Sequence, residues 1–197
     1  MRIERFVVGP LFTNCYLVES QGEAALIDPG GLSVELLEAL GKVKLKYILL
    51  THGHFDHAGA AVEVQSRFGG KLLYHEAERE VFFAFGKAPP QADGYLKDGQ
   101  KLPLGHEVLT VVHYPGHSPG SVVFLWERGK VVFCGDLLFA GSVGRWDLPG
   151  GSFTELKESI QRFFTSLSGE WRIYPGHGEP TSLQAERERN PLLRELL

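Results

Sequence analysis

Apolar positions along this chain gather in short blocks that alternate with turn residues. Strand-like blocks fall at about 2–8, 13–19 and 23–28, separated by Gly9-Pro10 and Gln21-Gly22. Asp28-Pro29-Gly30-Gly31 ends the third, and Ser33 stands where it can cap a helix over roughly 34–41. A buried strand at 46–50, a polar turn, a helix at 58–68 and a strand at 71–75 follow. A short helix from about Glu76 to Ala84 gives way to an irregular stretch from Phe85 to Gly94, which contains Pro89-Pro90. Strands return at about 107–113, 121–127 and 130–135, and a glycine-rich loop runs from Gly135 to Gly151. A helix at 154–167 has Thr154 as its expected N-cap, and a strand at 171–174 comes next. Thr181 or Ser182 then caps a last helix, interrupted by Pro191. This order predicts an α/β (α+β) architecture: two sheets packed face to face with helices outside, in one domain over 1–197.

With 197 residues, 43% hydrophobic and 22% charged, the chain has material for one sizeable core. A net charge of −4 fits poorly with a large nucleic-acid surface. No apolar run approaches the ~20 residues of a membrane helix. Met1-Arg2-Ile3-Glu4-Arg5 leads into an amphipathic strand rather than the apolar region of a signal peptide. The expectation is a cytoplasmic protein acting on a small molecule, with no nucleic-acid or membrane partner and homo-oligomerisation left open. Cys15 and Cys134 lie in apolar, strand-like surroundings and read as buried free thiols. A disulfide would require the fold to bring them within bonding range.

The polar turn carries the chemistry. Thr51-His52-Gly53-His54-Phe55-Asp56-His57 puts three imidazoles and a carboxylate between a buried strand and a helix, where a loop can aim them at one point. His52 and His54, two apart, can face one side of an extended segment. Asp56 and His57 come after the chain turns and should point to a neighbouring position, so two metal ions side by side are expected. Three later segments each run from an apolar strand through a break to one further candidate: His117, Asp136 and His177. Strand ends hold side chains firmly, which a metal site requires. The total of five histidines and two aspartates suits two divalent ions sharing a bridging carboxylate, and exceeds the four ligands of a closed structural zinc. Nitrogen and oxygen donors without thiolate fit zinc, iron or manganese and do not choose among them; zinc is the expectation carried forward.

The segments T-H-G-H-F-D-H at 51–57, P-G-H-S-P-G-S at 115–121, G-D-L-L-F-A-G-S-V-G-R at 135–145 and P-G-H-G at 175–178 resemble those of metallo-β-lactamase superfamily hydrolases. The likeness is greatest to the glyoxalase II (hydroxyacylglutathione hydrolase) type and extends from L-I-D-P-G at 26–30 to E-R-E-R-N-P at 186–191. It implies a four-layered αββα sandwich with its metals at one edge of the paired sheets. It also implies that His52, His54 and His117 bind one ion, that Asp56, His57 and His177 bind the other, and that Asp136 bridges them. Asp56 and Asp136 are then the carboxylates expected at the reacting centre, and thioester hydrolysis is the implied reaction. About twenty residues follow His177, too few for the C-terminal helical domain that helps full-length glyoxalase II hold glutathione. Weaker recognition of glutathione is expected.

Other residues have two readings each. Asp28 follows an apolar strand at Pro-Gly-Gly, and the resemblance places it beneath the metals, orienting a ligand histidine, against a role confined to the turn. Arg145 is a candidate for binding a substrate carboxylate, because a basic residue after a similar glycine pattern does so in glyoxalase II enzymes; pairing with Asp147 competes. His75, His106 and His113 match no ligand position. Phe82, Phe83 and Phe85 are expected to pack as helix residues rather than wall a pocket. A mononuclear iron persulfide dioxygenase on the same scaffold is the main rival activity. A β-lactamase would want an export signal, a nuclease a basic groove, and a non-catalytic metal-binding protein would more readily have lost a ligand.

Overall fold

The structure, a computed structural model, describes residues 1–197 apart from the side chain of residue 195. The N-terminal apolar blocks form β1 (Arg2–Val8), β2 (Thr13–Ser20) and β3 (Glu23–Ile27), paired antiparallel with Phe6 opposite Cys15 and Leu17 opposite Leu26. Gln21 and Gly22 close the second hairpin with φ of 51° and 79°, the pair of left-handed residues that a tight two-residue hairpin requires. α1 (Val34–Leu40) begins at Ser33, whose hydroxyl accepts from the Leu36 N–H at 3.2 Å. Then come β4 (Lys44–Leu49), α2 (Phe55–Ala58), α3 (Ala61–Phe68), β5 (Lys71–His75), α4 (Glu78–Ala84) and β6 (Gly94–Leu96). β3 to β6 pair in parallel, which gives a six-stranded sheet in the order β1-β2-β3-β4-β5-β6.

The second half supplies β7 (Lys101–Leu104), β8 (Glu107–His113), β9 (Val122–Trp126), β10 (Val131–Gly135), β11 (Leu138–Phe139), β12 (Ser142–Val143) and α5 (Phe153–Ser166). β13 (Arg172–Pro175), β14 (Thr181–Ser182), α6 (Leu183–Arg189) and α7 (Leu193–Leu196) complete it. The second sheet has the order β14-β13-β10-β9-β8-β7, with β10 and β13 parallel.

Period-two alternation sorts the side chains into three apolar layers. Tyr16, Val18, Ile27 and Leu49 from the first sheet meet Val111, Phe124, Val131 and Phe133 from the second. The intervening Cys15, Leu17, Leu26 and Ile48 face outward onto Leu36, Leu40 and Val64 of α1 and α3. On the far side, Val123, Leu125 and Val132 pack on Leu156, Ile160 and Phe163 of α5. The result is the four-layered αββα sandwich. In β2, β3 and the C-terminal part of β4 consecutive residues are buried, because both faces of the sheet are covered there, whereas the edge strand β1 stays largely exposed.

Several local expectations are corrected. The helix placed at 58–68 begins only at Ala61, as α3, and Phe55–Ala58 form the separate turn α2, because the Ala60 N–H donates to Pro29 O at 2.9 Å rather than into a continuous helix. Asp56 and His57 thus lie on their own helical turn. The helix placed at 154–167 starts one residue earlier with Ser152, not Thr154, as its cap; the Ser152 hydroxyl accepts from the Glu155 N–H at 3.3 Å. Short strands β6, β7, β11 and β12 occupy segments that pattern alone left irregular or did not assign. Ser182 caps α6, as one of the two residues proposed. No helix among the described residues is long and apolar enough to cross a membrane.

Candidate metal centre

All seven candidate ligands collect at one edge of the paired sheets, on loops leaving β4, β8, β10 and β13. His52 and His54 follow β4, and α2 turns Asp56 and His57 toward the neighbouring position. His117, Asp136 and His177 arrive from the second sheet. The two sheets are tied at this edge by a Thr13–His177 bridge and by the Asn14 N–H donating to Gly176 O at 2.7 Å. Asn14 Nδ2 also donates to Pro175 O and Gly178 O, and Tyr16 OH to Pro175 O, which holds the His177 loop from both sides.

The side chains form two groups around one carboxylate. His117 Nε2 lies 3.0 Å from His54 Nδ1 and 3.2 Å from His52 Nε2. His57 Nε2 is 3.3 Å from His177 Nε2, and Asp56 Oδ2 is 3.4 Å from the first and 3.2 Å from the second. Between the groups, Asp136 Oδ1 lies 3.3 Å from His57 Nε2, while its Oδ2 lies 3.5 Å from His117 Nε2 and 3.6 Å from His177 Nε2.

The outer ring nitrogens tell which inner ones carry lone pairs. His117 Nδ1 donates to Arg145 O at 2.7 Å and His177 Nδ1 to Leu11 O at 3.2 Å. His57 Nδ1 donates to Asp28 Oδ2 at 2.9 Å. The Thr51 hydroxyl gives its proton to Asp28 Oδ2 at 2.6 Å and so accepts from His52 Nδ1 at 3.0 Å. Neutral imidazoles in these tautomers aim four unprotonated Nε2 atoms into the site. Asp136 Oδ1 and His54 Nε2 are buried without hydrogen-bond partners. Lone pairs converging this closely repel unless a cation sits among them, so the residues present fit metal ions.

Electrostatics divides the groups. Burial, then crowding by other imidazoles, lowers His52 and brings His54 down to about 4. Burial likewise lowers His117. Burial also opposes charge on His57, yet Asp136 and Asp28 override it and raise that ring. Burial would raise the Asp136 carboxyl, but His57, His117 and His177 hold it well below the usual carboxylate range.

Asp28 lies beneath both groups: it binds His57 directly and His52 through Thr51, and its other oxygen accepts from the Thr51 N–H at 2.7 Å. Its φ of 53° is a left-handed conformation that aspartate tolerates better than most residues. Arg145 is instead engaged: its Nε and Nη2 donate to Asp147 at 2.8 and 2.9 Å, a pair two residues apart that needs almost no chain ordering. The competing reading of Arg145 therefore describes the structure, although the side chain still borders the cavity in front of the ligands. That cavity, about 510 Å³, is walled by Leu11, Phe55, Phe85, Phe139, Val143 and Leu148. Of the three phenylalanines near Pro89-Pro90, Phe82 is core, Phe83 is exposed, and Phe85 stands edge-on to His54 at 5.4 Å, against the expectation of helix packing alone.

His75 and His113 stack at 4.3 Å away from the ligands, and Cys15 and Cys134 are both free. Pattern reading passed over Thr13, whose hydroxyl donates to Asp56 Oδ2 at 3.1 Å, and Glu78, whose Oε2 accepts from the Gly53 N–H at 2.6 Å. Neither carries a motif, because their partners lie 25 or more residues away.

Residues 8–177 match the family described as "Metallo-beta-lactamase superfamily". A Haemophilus influenzae protein named hydroxyacylglutathione hydrolase GloC is 36% identical, the alignment covering 98% of each chain. Among solved structures, the BLEG-1 B3 metallo-beta-lactamase superposes with a TM-score of 0.88 at 34% identity over 98% of this chain and 99% of its own. TTHA1623 in a di-iron-bound form gives 0.84 at 39% identity over 96% of this chain and 99% of its own.

Proposed function

Because the chain belongs to the metallo-beta-lactamase superfamily, we propose that it is a dinuclear metal-dependent hydrolase whose substrates are thioesters. The observation that carries this reading is the convergence of five imidazoles in two groups on either side of Asp136. His52 Nε2, His54 Nδ1 and His117 Nε2 would hold one ion, Asp56, His57 and His177 the other, with Asp136 shared. Divalent ions bound there supply Lewis acidity toward a carbonyl and lower the pKa of water toward neutrality.

The protein's own contribution is placement. Asp28 and the Arg145 and Leu11 carbonyls fix the tautomers and orientations of the ligand rings, so little reorganisation is needed at the reacting centre. Asp56 and Asp136 present carboxylate oxygens where an attacking water's proton can be held. The apolar cavity walls exclude bulk water and receive the acyl arm. A departing thiolate needs no proton donor, since thiols are far more acidic than amines. The name of the Haemophilus influenzae relative supports a glutathione thioester such as S-D-lactoylglutathione as one substrate. The two unpaired thiols suit a reducing cytoplasm. Zinc remains the leading candidate, and the di-iron form of TTHA1623 keeps iron in contention.

The test is a panel of S-D-lactoylglutathione and simpler acyl thioesters, assayed on zinc- and iron-loaded protein beside oxygen uptake with glutathione persulfide. Thioester cleavage that chelation abolishes and metal restores is expected. Oxygen uptake by the iron form with no thioester cleavage would overturn the hydrolase reading in favour of a dioxygenase.

A further inference from the structure

Glu78 opens α4 with its side chain fully buried, and among the described residues no group of opposite charge is bonded to it. Its carboxylate is satisfied by the two loops that carry the three-histidine group. Oε2 accepts from the Gly53 N–H at 2.6 Å, and Gly53 lies between His52 and His54. Oε1 accepts from the Gly120 N–H at 2.6 Å and from the Ser118 hydroxyl at 2.7 Å, and Ser118 follows His117. Both glycines leave the carboxylate its room: a Cβ would stand 3.0 Å from Oε2 at Gly53 and 2.8 Å from Oε1 at Gly120. Burying an unpaired carboxylate is costly, and these charge-assisted bonds are what offset that cost.

We propose that Glu78 is a positioning residue for the three-histidine subsite, clamping the His52–His54 loop of one sheet to the His117 loop of the other. The inference rests on the metal-binding reading above. His52 and His54 leave β4 and His117 follows β8, so their relative placement depends on how the sheets are joined, and Glu78 touches both loops at once. It has no hydrogen bond to Asp56, His57, Asp136 or His177. Its influence is therefore confined to one subsite.

Zinc alone is the probe. Affinity is measured by chelator competition in an Asp56→Ala background, which leaves the three-histidine group whole, and in a His54→Ala background, which leaves the other group whole. Glu78→Gln keeps the side chain's size but confronts Gly53 N–H or Gly120 N–H with an amide donor. It should weaken zinc binding about 10–100-fold in the first background and leave the second unchanged. Equal losses in both backgrounds, or none in the first, would overturn the proposal, whatever happens to the melting temperature. If Glu78→Gln does not fold, Ser118→Ala decides, because it removes one donor and leaves both backbone bonds; it should cause a smaller loss with the same selectivity. No selective loss in Ser118→Ala would then count against the clamp. Absence of tight zinc in the parent protein sinks the metal reading itself, whereas tight zinc that Glu78→Gln leaves untouched sinks only this inference.

Discussion

A methyl group on Gly176 would stand 2.2 Å from Asp136 Oδ1 and 2.6 Å from His57 Cε1, so alanine there must displace one of two candidate ligands. Gly176→Ala should lower bound metal from about two ions per chain and reduce activity, as measured by elemental analysis and turnover. Gly178 is the control: its φ of 75° makes Gly178→Ala cost about 1–2 kcal/mol of backbone strain, but nothing lies within 4 Å of the new Cβ, so metal content should hold. Asp136→Ala should release at least one ion, and retention of two tightly bound ions would refute its shared role. At the rim, Arg145 can meet a substrate carboxylate only by leaving Asp147. Asp147→Ala should then lower KM for a carboxylate-bearing thioester by up to about five-fold while a neutral thioester is unaffected. An unchanged KM would confine Arg145 to its loop.

Among the elements, α5 gives the sharpest comparison of pattern with fold. Ser152 and Thr154 are both good capping residues, and only the backbone decides which one stands at the end: Ser152 is extended, with φ −148° and ψ 117°. Ser152→Ala should cost about 1 kcal/mol in denaturant unfolding, and Thr154→Ala distinctly less. Equal costs would return the cap to Thr154. The break between α2 and α3 has a similar origin. The run from Ala58 to Phe68 is helical in composition, but Ala60 N–H donates to Pro29 O at 2.9 Å, a contact across 31 positions that local pattern does not contain. Strands of two to four residues such as β6, β11 and β12 are missed for the same reason, since a neighbouring strand rather than their own side chains makes them strands.

Across the whole molecule, the histidine–aspartate cluster couples stability to pH in metal-free protein. His52, His54 and His117 are lowered, chiefly by burial, whereas His177 is raised by its bond to Asp56 and His57 by Asp136 and Asp28, which override burial. As pH falls below 6.5, the unfolded chain takes up protons that the first three rings refuse, so stability is lost down to about pH 4, where His54 titrates. As pH rises above 6.5, the raised pair must release protons in the folded state, and their contribution disappears through their raised values. The melting temperature of chelator-treated protein should therefore peak near neutrality and fall on both sides. A flat profile between pH 4 and 9 would show that these rings do not titrate as their surroundings require.

The residue types of the candidate ligands and their spacing were determined by sequence alone. Three histidines and an aspartate in Thr51–His57, with His117, Asp136 and His177 each following an apolar strand, already specify metal chemistry, because strand ends are where side chains are held. The apolar runs Cys15–Val18, Ala24–Ile27 and Tyr47–Leu50 are likewise unbroken, which announces strands covered on both faces. Tertiary structure decided what depends on groups distant in the chain. Asp28 reaches His52 only through Thr51, and Arg145 is neutralised by Asp147 at the rim. Glu78 finds its donors 25 and 42 residues away, on loops brought together only when the two sheets pack. Periodicity records which face of an element is buried, but not which distant polar group it will meet there.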